Sequence, residues 1–581
     1  MINTRTVQIF LDRFHGVPRY VWILLAILCV GVFFRTYHFH DWLQFKGDAF
    51  RDATMVSNII DAGAESLPLL GPRAGGTMLR LGPIFYYFQS LSATLFQSLD
   101  APVLAYHDVF FSILSILLFF FFSRRYFSVG WSLGMAGMLS VSFLAIEYGR
   151  FAWNPNSTLF FTLLFSYALL RLYDTESEQK RPWLWALVAG GALAIASQLH
   201  FSAFLGLPLV LILFVLWNGS RSRQVLTGKV VLAFFGSVVL VYLPVFISEF
   251  FKQGENTRLF FSAISSKASS HGLFQNVYQT AHMFAKYTVR IMLGYVEPGK
   301  MLILLSGIFF GLGAFANALL LRGELQHTKR HFLKYTLLVV TVYFFLYIPL
   351  AFKIDRPRFY LPFMMIPYLY LGYLAVFVKS KMPTSRVFSF LVIAGLVVVL
   401  FSNLRATTEW FSDLSDSEQT ITSTGEQNSK GRSYFLTWGH YERVARSIDE
   451  TCEKQDTIYF SMAKSVAEYD HSIEYALLMR KRDWPVIETP SIPGGPQVCY
   501  YYIALPKDIL PQDIASIKQD VPIDVGNLLV IRLYPEGTET EFIKKNKVTV
   551  EREKETNLFE PEKITRYSRV YWGDVWHRLS H

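Results

Sequence analysis

The chain has 581 residues, of which 52% are hydrophobic, 16% aromatic and only 17% charged, with a mean hydropathy of +0.30. Soluble domains carry about a quarter charged residues, so this composition excludes a single water-soluble core and predicts an integral membrane protein. The net charge of +10 reads as membrane topology. No basic stripe with interleaved stacking aromatics is present, so no nucleic-acid partner is expected.

The first apolar run is too long for a cleavable signal and has no small-residue cleavage site after it, so it reads as a first span. Eleven stretches approach the roughly 20 apolar residues a spanning helix needs: about 20–36, 103–122, 128–146, 157–173, 183–199, 203–218, 229–247, 301–321, 334–352, 361–378 and 386–403. Lys and Arg gather in 1–19, 123–127, 174–182, 219–228, 322–333 and 379–385. The positive-inside preference then puts the N-terminus in the cytoplasm and the C-terminus outside.

The run Pro83 to Phe96 is apolar enough to tempt a twelfth assignment, but a span there would invert most later loops. It reads as a helix lying in the outer interface. The first outer loop, 37–102, is therefore expected to hold interfacial helices at about 49–62 and 83–97, joined by a mobile Gly/Pro-rich connector from Gly63 to Gly82. A second outer loop, 248–300, contains an amphipathic stretch from Phe274 to Tyr295 that suits a third such helix.

After Leu404 the composition turns polar. Strand-like runs at 457–461, 500–505 and 527–534 alternate with helical patterns at about 439–453, 463–481 and 508–519, which predicts an extracytoplasmic α/β domain over 405–581. Its tail beyond Gly537 is charge-rich and is expected to be extended. Cys452 and Cys499 both fall in this domain. Whether they pair depends on geometry that spacing does not supply. No metal-type Cys/His spacing appears.

Four groups could carry chemistry. In the first loop, Asp48, Arg51 and Asp52 are spaced to share one side of a helix. They suit either a carboxylate base or the capped start of a surface helix, with Asp48 as N-cap before Ala49. Tyr148 to Asn156 offers Arg150, an indole and two amides, or simply a turn at the interface. His200 stands in a short outer turn. Lys353, Arg356 and Arg358 fall within six residues on the outer side, against the topological trend, where Arg suits a phosphate.

These features together resemble the membrane-embedded GT-C class of lipid-linked-sugar glycosyltransferases, in particular the bacterial lipid A aminoarabinose transferases and the protein O-mannosyltransferases. The resemblance covers about 20–375. It rests on the acidic first loop with two interfacial helices, the Gly-Pro-Ile-Phe-Tyr-Tyr helix start, the Arg-Phe-Ala-x-x-Pro outer turn and the Arg-Phe-Tyr-Leu-Pro run. It implies a polytopic helical fold with an outer α/β domain. It also implies transfer, usually with inversion, of a sugar from a polyprenyl-phosphate donor to a hydroxyl or glycan acceptor on the outer face of the cell membrane. The family's acid maps onto Asp48 as base, with Asp52 as a possible second acid. The late cationic motif maps onto Arg356 and Arg358, which would hold the carrier phosphate, and the outer-turn residue maps near Asn154; Arg51, Arg80, Tyr86, Arg150, His200 and Lys353 are further candidate substrate contacts. No cofactor is implied, and a divalent metal is not required. The chain departs from the family pattern at Ala49, at Gly82 before Pro83 where Lys or His is common, and at Asn154 where an acid is common. A flippase for lipid-linked glycan and a membrane-anchored binding or assembly protein are the competing readings.

Overall fold

The computed structural model describes residues 18–45, 47–74, 77–174, 181–295, 297–382, 386–417, 436–452, 457–481, 498–506, 508–525, 528–535, 548–550 and 569–580. The first seventeen residues, most of the loop 174–182 and most of the tail after Gly537 lie outside them.

Among the described residues, eight helices are long and apolar enough to cross a membrane, which makes this a multi-pass membrane protein. They include Arg19–Thr36, Tyr106–Ser123, Pro182–Leu199, Gly228–Phe251 and Lys300–Gly323. Phe201–Trp217 joins Gly219–Val225 across a 102° bend and makes a ninth if the pair is counted as one span. The other two of the eleven expected spans differ in form. The stretch 128–146 breaks into Val129–Ser140 and Phe143–Tyr148, and 157–173 becomes the 15-residue helix Thr158–Leu172. Both pack among neighbouring helices rather than standing alone in lipid, so length is no longer imposed on them. Gly228–Phe251 shows the opposite case. Leu232, Leu240 and Phe250 are largely exposed, as a lipid-facing surface requires.

Helices form in the three stretches expected to hold them, as Gly47–Ala62, Ile84–Phe96 and Leu273–Leu293. Gly47–Ala62 buries Asp52, Met55, Val56 and Ile59, a spacing that lines one helical face. It begins before Asp48, so this residue sits inside the first turn, where the helix dipole favours a carboxylate, and is not the expected N-cap. The connector between the first two helices is also not the loose link expected. Gly71 N donates to Leu81 O (2.7 Å), Leu81 N to Pro72 O (2.9 Å) and Ala74 N to Leu79 O (2.7 Å). These bonds fold 71–81 into a hairpin, and a Cβ on Gly71 would stand 2.1 Å from Gly82 O. Gly71 and Gly82 permit a close backbone approach that a side chain would block.

The C-terminal part is α/β as expected. Strands β1 (Thr457–Met462), β2 (Val498–Ala504), β3 (Lys518–Gln519), β4 (Ile523–Asp524), β5 (Leu529–Tyr534) and β6 (Val548–Val550) form one mixed sheet in the order β3-β5-β2-β1-β6, with β4 also on β5. The pair β1–β2 is parallel and the helix Asp470–Lys481 lies between them in the chain. The helix expected at 508–519 is reduced to Gln512–Ala515. The last span, Arg386–Ser417, runs on past the composition change at 404.

This domain is seated on the first loop. Trp438 N donates to Leu43 O (2.9 Å) and Gly439 N to Asp41 O (3.0 Å). Ser472 Oγ donates to Phe45 O (2.9 Å), Tyr475 OH to Leu99 O (2.8 Å), and His471 stacks on Phe50 at 4.8 Å. The pairing the spacing left open is present: Cys452, after the helix Trp438–Thr451, is bonded to Cys499 of β2 with Cα atoms 6.1 Å apart. The bridge closes a loop with a sequence separation of 47. On the chain-entropy account Cys452→Ser should cost about 2–4 kcal/mol, read as a lower thermal midpoint of the detergent-solubilised protein; an unchanged midpoint would show that the bridge contributes nothing.

Candidate active site

At the domain-bearing end of the bundle lies a cavity of about 710 Å³, within the range of small-molecule sites. Its walls come from six separated stretches: Asp48 and Arg51; parts of 73–81 other than Arg80; Trp153, Asn154 and Pro155; His200 and Phe201; Ala263 and Lys267; and parts of 350–359 other than Arg356. Among the lining residues, Arg51, Arg73, Lys267, Lys353 and Arg358 are cationic and Asp48 is the one carboxylate. The site therefore favours an anion. Met78, Leu79, Leu81, Phe201 and Leu350 make the rest of the wall apolar, so the anion it suits is attached to something greasy.

Six of the residues singled out from sequence meet here: Asp48, Arg51, Asn154, His200, Lys353 and Arg358. Asp48 is 58% exposed, and Arg51 Nη1 reaches its Oδ1 at 2.8 Å. The same guanidinium donates from Nε to Asp52 Oδ1 at 2.9 Å. Asp52 is fully buried and also accepts the Tyr86 hydroxyl at 2.9 Å. Burial pushes its carboxyl up to about 6, against the opposing pull of Arg51 and of the Tyr86 hydrogen bond. Asp52 and Tyr86 therefore stand behind the cavity wall. Neither is among the residues that line the cavity, whereas Arg51, which holds Asp52, is.

His200 is the N-cap of Phe201–Trp217 and its Nδ1 accepts from Ser202 N at 3.3 Å. With Nδ1 accepting, the neutral ring carries its proton on Nε2. Burial and then Arg358 lower its pKa to about 3, so near neutral pH it is a hydrogen-bond donor and not a cation. Asn154 Nδ2 donates to Leu199 O (2.7 Å), holding the cavity turn to the end of Pro182–Leu199. Arg358 lies over the Trp153 ring at 5.0 Å, a cation–π contact that orients it. Burial lowers its pKa, partly offset by nearby Tyr148. Its loop is anchored from behind: Asp355 accepts from Lys286 Nζ (3.2 Å) and Tyr287 OH (3.0 Å).

Three expected contacts fall elsewhere. Arg150 is buried away from the cavity, where it donates to Phe34 O (2.9 Å) and Tyr37 O (2.8 Å) and lies 4.9 Å from the Phe411 ring. It satisfies the orphan carbonyls ending the first span, so its role is structural. Arg356 is exposed and does not line the cavity. Arg80 lines an adjoining cleft with Arg73, Glu249 and Lys252. Its main chain is held from both sides by the Asn256 amide (2.9 and 3.0 Å), while burial, Arg569 and Arg73 lower its pKa to about 10. The departure at Gly82 has a steric reason. A Cβ there would stand 2.2 Å from the Gln198 side chain, whose Oε1 accepts from Ile84 N at 3.3 Å.

Sequence reasoning missed Arg73, in a loop, and Lys267, at the end of the helix Glu255–Lys267, where charge reads as solvated, and Arg569, which donates to Tyr86 OH at 3.0 Å from 483 residues away. It also passed over Asp108, buried at the start of Tyr106–Ser123. Asp108 accepts Trp153 N (3.1 Å) and Ser157 Oγ (2.5 Å). An acid within a span that faces the protein interior was the available signal. Among the described residues no group of three or more His, Cys, Asp or Glu could hold a metal ion.

Asp108→Ala would leave two buried donors without an acceptor, at about 2–4 kcal/mol together. The expected reading is a clearly lowered thermal midpoint; wild-type stability would show that the 153–157 turn does not depend on it.

Residues 81–247 match the family model described as dolichyl-phosphate-mannose-protein mannosyltransferase. No curated protein matches the sequence. Among solved structures, ArnT from Cupriavidus metallidurans in the apo state is 12% identical, over 88% of this chain and 97% of that one, with a TM-score of 0.49. The same protein bound to undecaprenyl phosphate is 11% identical over the same shares, again at 0.49. An oligosaccharyltransferase of Archaeoglobus fulgidus tethered with an acceptor peptide is 14% identical over 79% of this chain, with a TM-score of 0.45. The match spans 63% of the length of that oligosaccharyltransferase. Over residues 81–247 this chain is therefore similar to that mannosyltransferase family, within the 20–375 over which its loops and motifs carry their resemblance.

Proposed function

We propose that this protein transfers a sugar from a polyprenyl-phosphate carrier to a hydroxyl or glycan acceptor at the outer face of the cell membrane, with inversion and with Asp48 as the base. The observation that carries this reading is the cavity itself: one exposed carboxylate facing an excess of cations, within walls half apolar. The family match over 81–247 supports the chemistry class. The bridged domain suits an oxidising compartment, which favours the outer side for the end of the bundle that carries the cavity.

In the proposed step, Asp48 takes the proton of the acceptor hydroxyl. The acceptor oxygen attacks the anomeric carbon, and the bond from that carbon to the phosphate oxygen breaks. The lipid phosphate leaves with the electron pair, and a single in-line displacement inverts the centre. Arg358 and Lys353, with Arg73 and Lys267, meet the charge that grows on the phosphate. His200 supplies a neutral Nε2 donor. Arg51 is shared between two carboxylates, which keeps it from neutralising Asp48 outright.

Two outcomes are expected from membranes or purified protein given a labelled polyprenyl-phosphate sugar. Asp48→Asn should lose at least roughly 100-fold in transfer at unchanged protein level; full transfer by this variant would remove Asp48 as base. Flipping of the labelled lipid without transfer would replace the transferase reading with a transporter. The pH profile follows from Asp52. As pH falls through about 6, Asp52 takes a proton, Arg51 turns its charge onto Asp48, and Asp48 becomes a weaker base. Transfer should therefore fall on the acid side of about 6, and a flat profile between pH 5 and 7 would refute this coupling.

A further inference from the structure

The described residues of the C-terminus, 569–580, return to the first loop. Leu69 N donates to Val570 O (2.9 Å) and Trp572 N to Leu67 O (3.1 Å), around an antiparallel bridge between Pro68 and Tyr571. Leu69, Val570 and Val575 are buried together against Phe251 and Trp572. Trp572 Nε1 donates to Tyr87 OH at 3.2 Å, and Tyr87 OH donates in turn to Pro68 O at 2.9 Å. The segment is thus strapped down by main-chain bonds, an apolar cluster and an indole.

At the start of this strap, Arg569 Nη2 donates to Tyr86 OH at 3.0 Å, and its guanidinium carbon lies 5.2 Å from the centre of the Tyr86 ring. Tyr86 OH donates to Asp52 Oδ1. Asp52 Oδ1 accepts from Arg51 Nε, and Arg51 Nη1 donates to Asp48 Oδ1. One unbroken chain of charge-assisted bonds therefore runs from the C-terminus to the cavity carboxylate. Each link constrains the next. A phenol has one proton, and because its oxygen accepts from Arg569, that proton is directed at Asp52. The cation also polarises the O–H bond and strengthens it. Asp52 held in this way keeps its grip on Arg51, and Arg51 stays divided between Asp52 and Asp48.

We propose that the C-terminal strap is part of the catalytic assembly, with Arg569 as a positioning residue that sets the Asp48 carboxylate through Tyr86, Asp52 and Arg51. This rests on the transferase reading above. Arg569 is not among the residues that line the cavity and reaches Asp48 only through Tyr86, Asp52 and Arg51, so its effect belongs in turnover and not in donor affinity.

The test has two arms on the full-length protein. In the first, docking is read without reference to activity. A Cβ on Gly573 would stand 3.3 Å from the Glu65 Cβ, close to disulfide distance, so a Glu65→Cys, Gly573→Cys pair should cross-link on mild oxidation while either single variant should not. The locked protein should retain wild-type transfer. Failure to cross-link, or loss of transfer in the locked form alone, overturns the proposal. In the second arm, Arg569→Ala should lower kcat by roughly 10- to 100-fold with KM for the labelled polyprenyl-phosphate sugar little changed, and Arg569→Lys should recover much of it. A merely structural role would lower the yield of folded protein and leave kcat per folded molecule intact, which overturns the proposal. The two readings fail separately. Transfer abolished by Asp48→Asn but untouched by Arg569→Ala removes only the positioning role. Absence of transfer by the wild-type protein removes the base assignment and the positioning role together, whatever the cross-link shows.

Discussion

The arrangement depends on one guanidinium held between two carboxylates. Asp52 is buried without exposure, and an isolated carboxylate in such a place would cost several kcal/mol. Arg51 and Tyr86 make it tolerable by placing two donors on the same oxygen. Because a guanidinium offers donors in a fixed fork, the arm that secures Asp52 leaves another for Asp48, which stays exposed to the cavity. The burial of one acid thus positions the other. It also forces Gly47–Ala62 to lie against Ile84–Phe96, since Tyr86 must reach Asp52 from that second helix.

The spans serve this arrangement by holding loop ends in place. Arg150 closes the end of the first span, Asp108 fixes the turn that carries Trp153 and Asn154, and Lys286 with Tyr287 anchors the loop that carries Arg358. None of the three touches the cavity, yet each decides where a cavity residue stands. The α/β domain caps the same end through Phe45, Phe50 and Leu99. A site made of six separate stretches needs such supports, because loops by themselves would not keep a carboxylate and several cations at constant separation.

The residues legible from sequence were those whose type conflicted with their surroundings. Lys353 and Arg358 stood out as cations on the side where the trend predicts few, and Asp48 as an acid beside a span, and all three line the cavity. Arg150 stood out by the same logic and lies outside the cavity lining, since a charge near a membrane boundary can equally well satisfy backbone carbonyls. Arg73 and Lys267 were invisible because charge in a loop or in the last turn of a helix is unremarkable. The Gly63–Gly82 connector was misjudged because glycine marks close backbone approach as readily as freedom, and only the packing against Gly82 separates the two.

By itself the sequence determined the membrane class, most of the spans, the interfacial helices and the alternating strands and helices of the final domain. These follow from hydrophobic period and length, which are local properties of a chain in lipid and water. Tertiary structure alone decided which polar residues meet: that Asp52 lies behind Arg51 and not beside the substrate space, that Cys452 bonds Cys499, and that Arg569 ends against Tyr86. The last two of these contacts join residues 47 and 483 positions apart, and no periodicity encodes such a distance. They arise because a buried charge must find a partner wherever the fold brings one within reach.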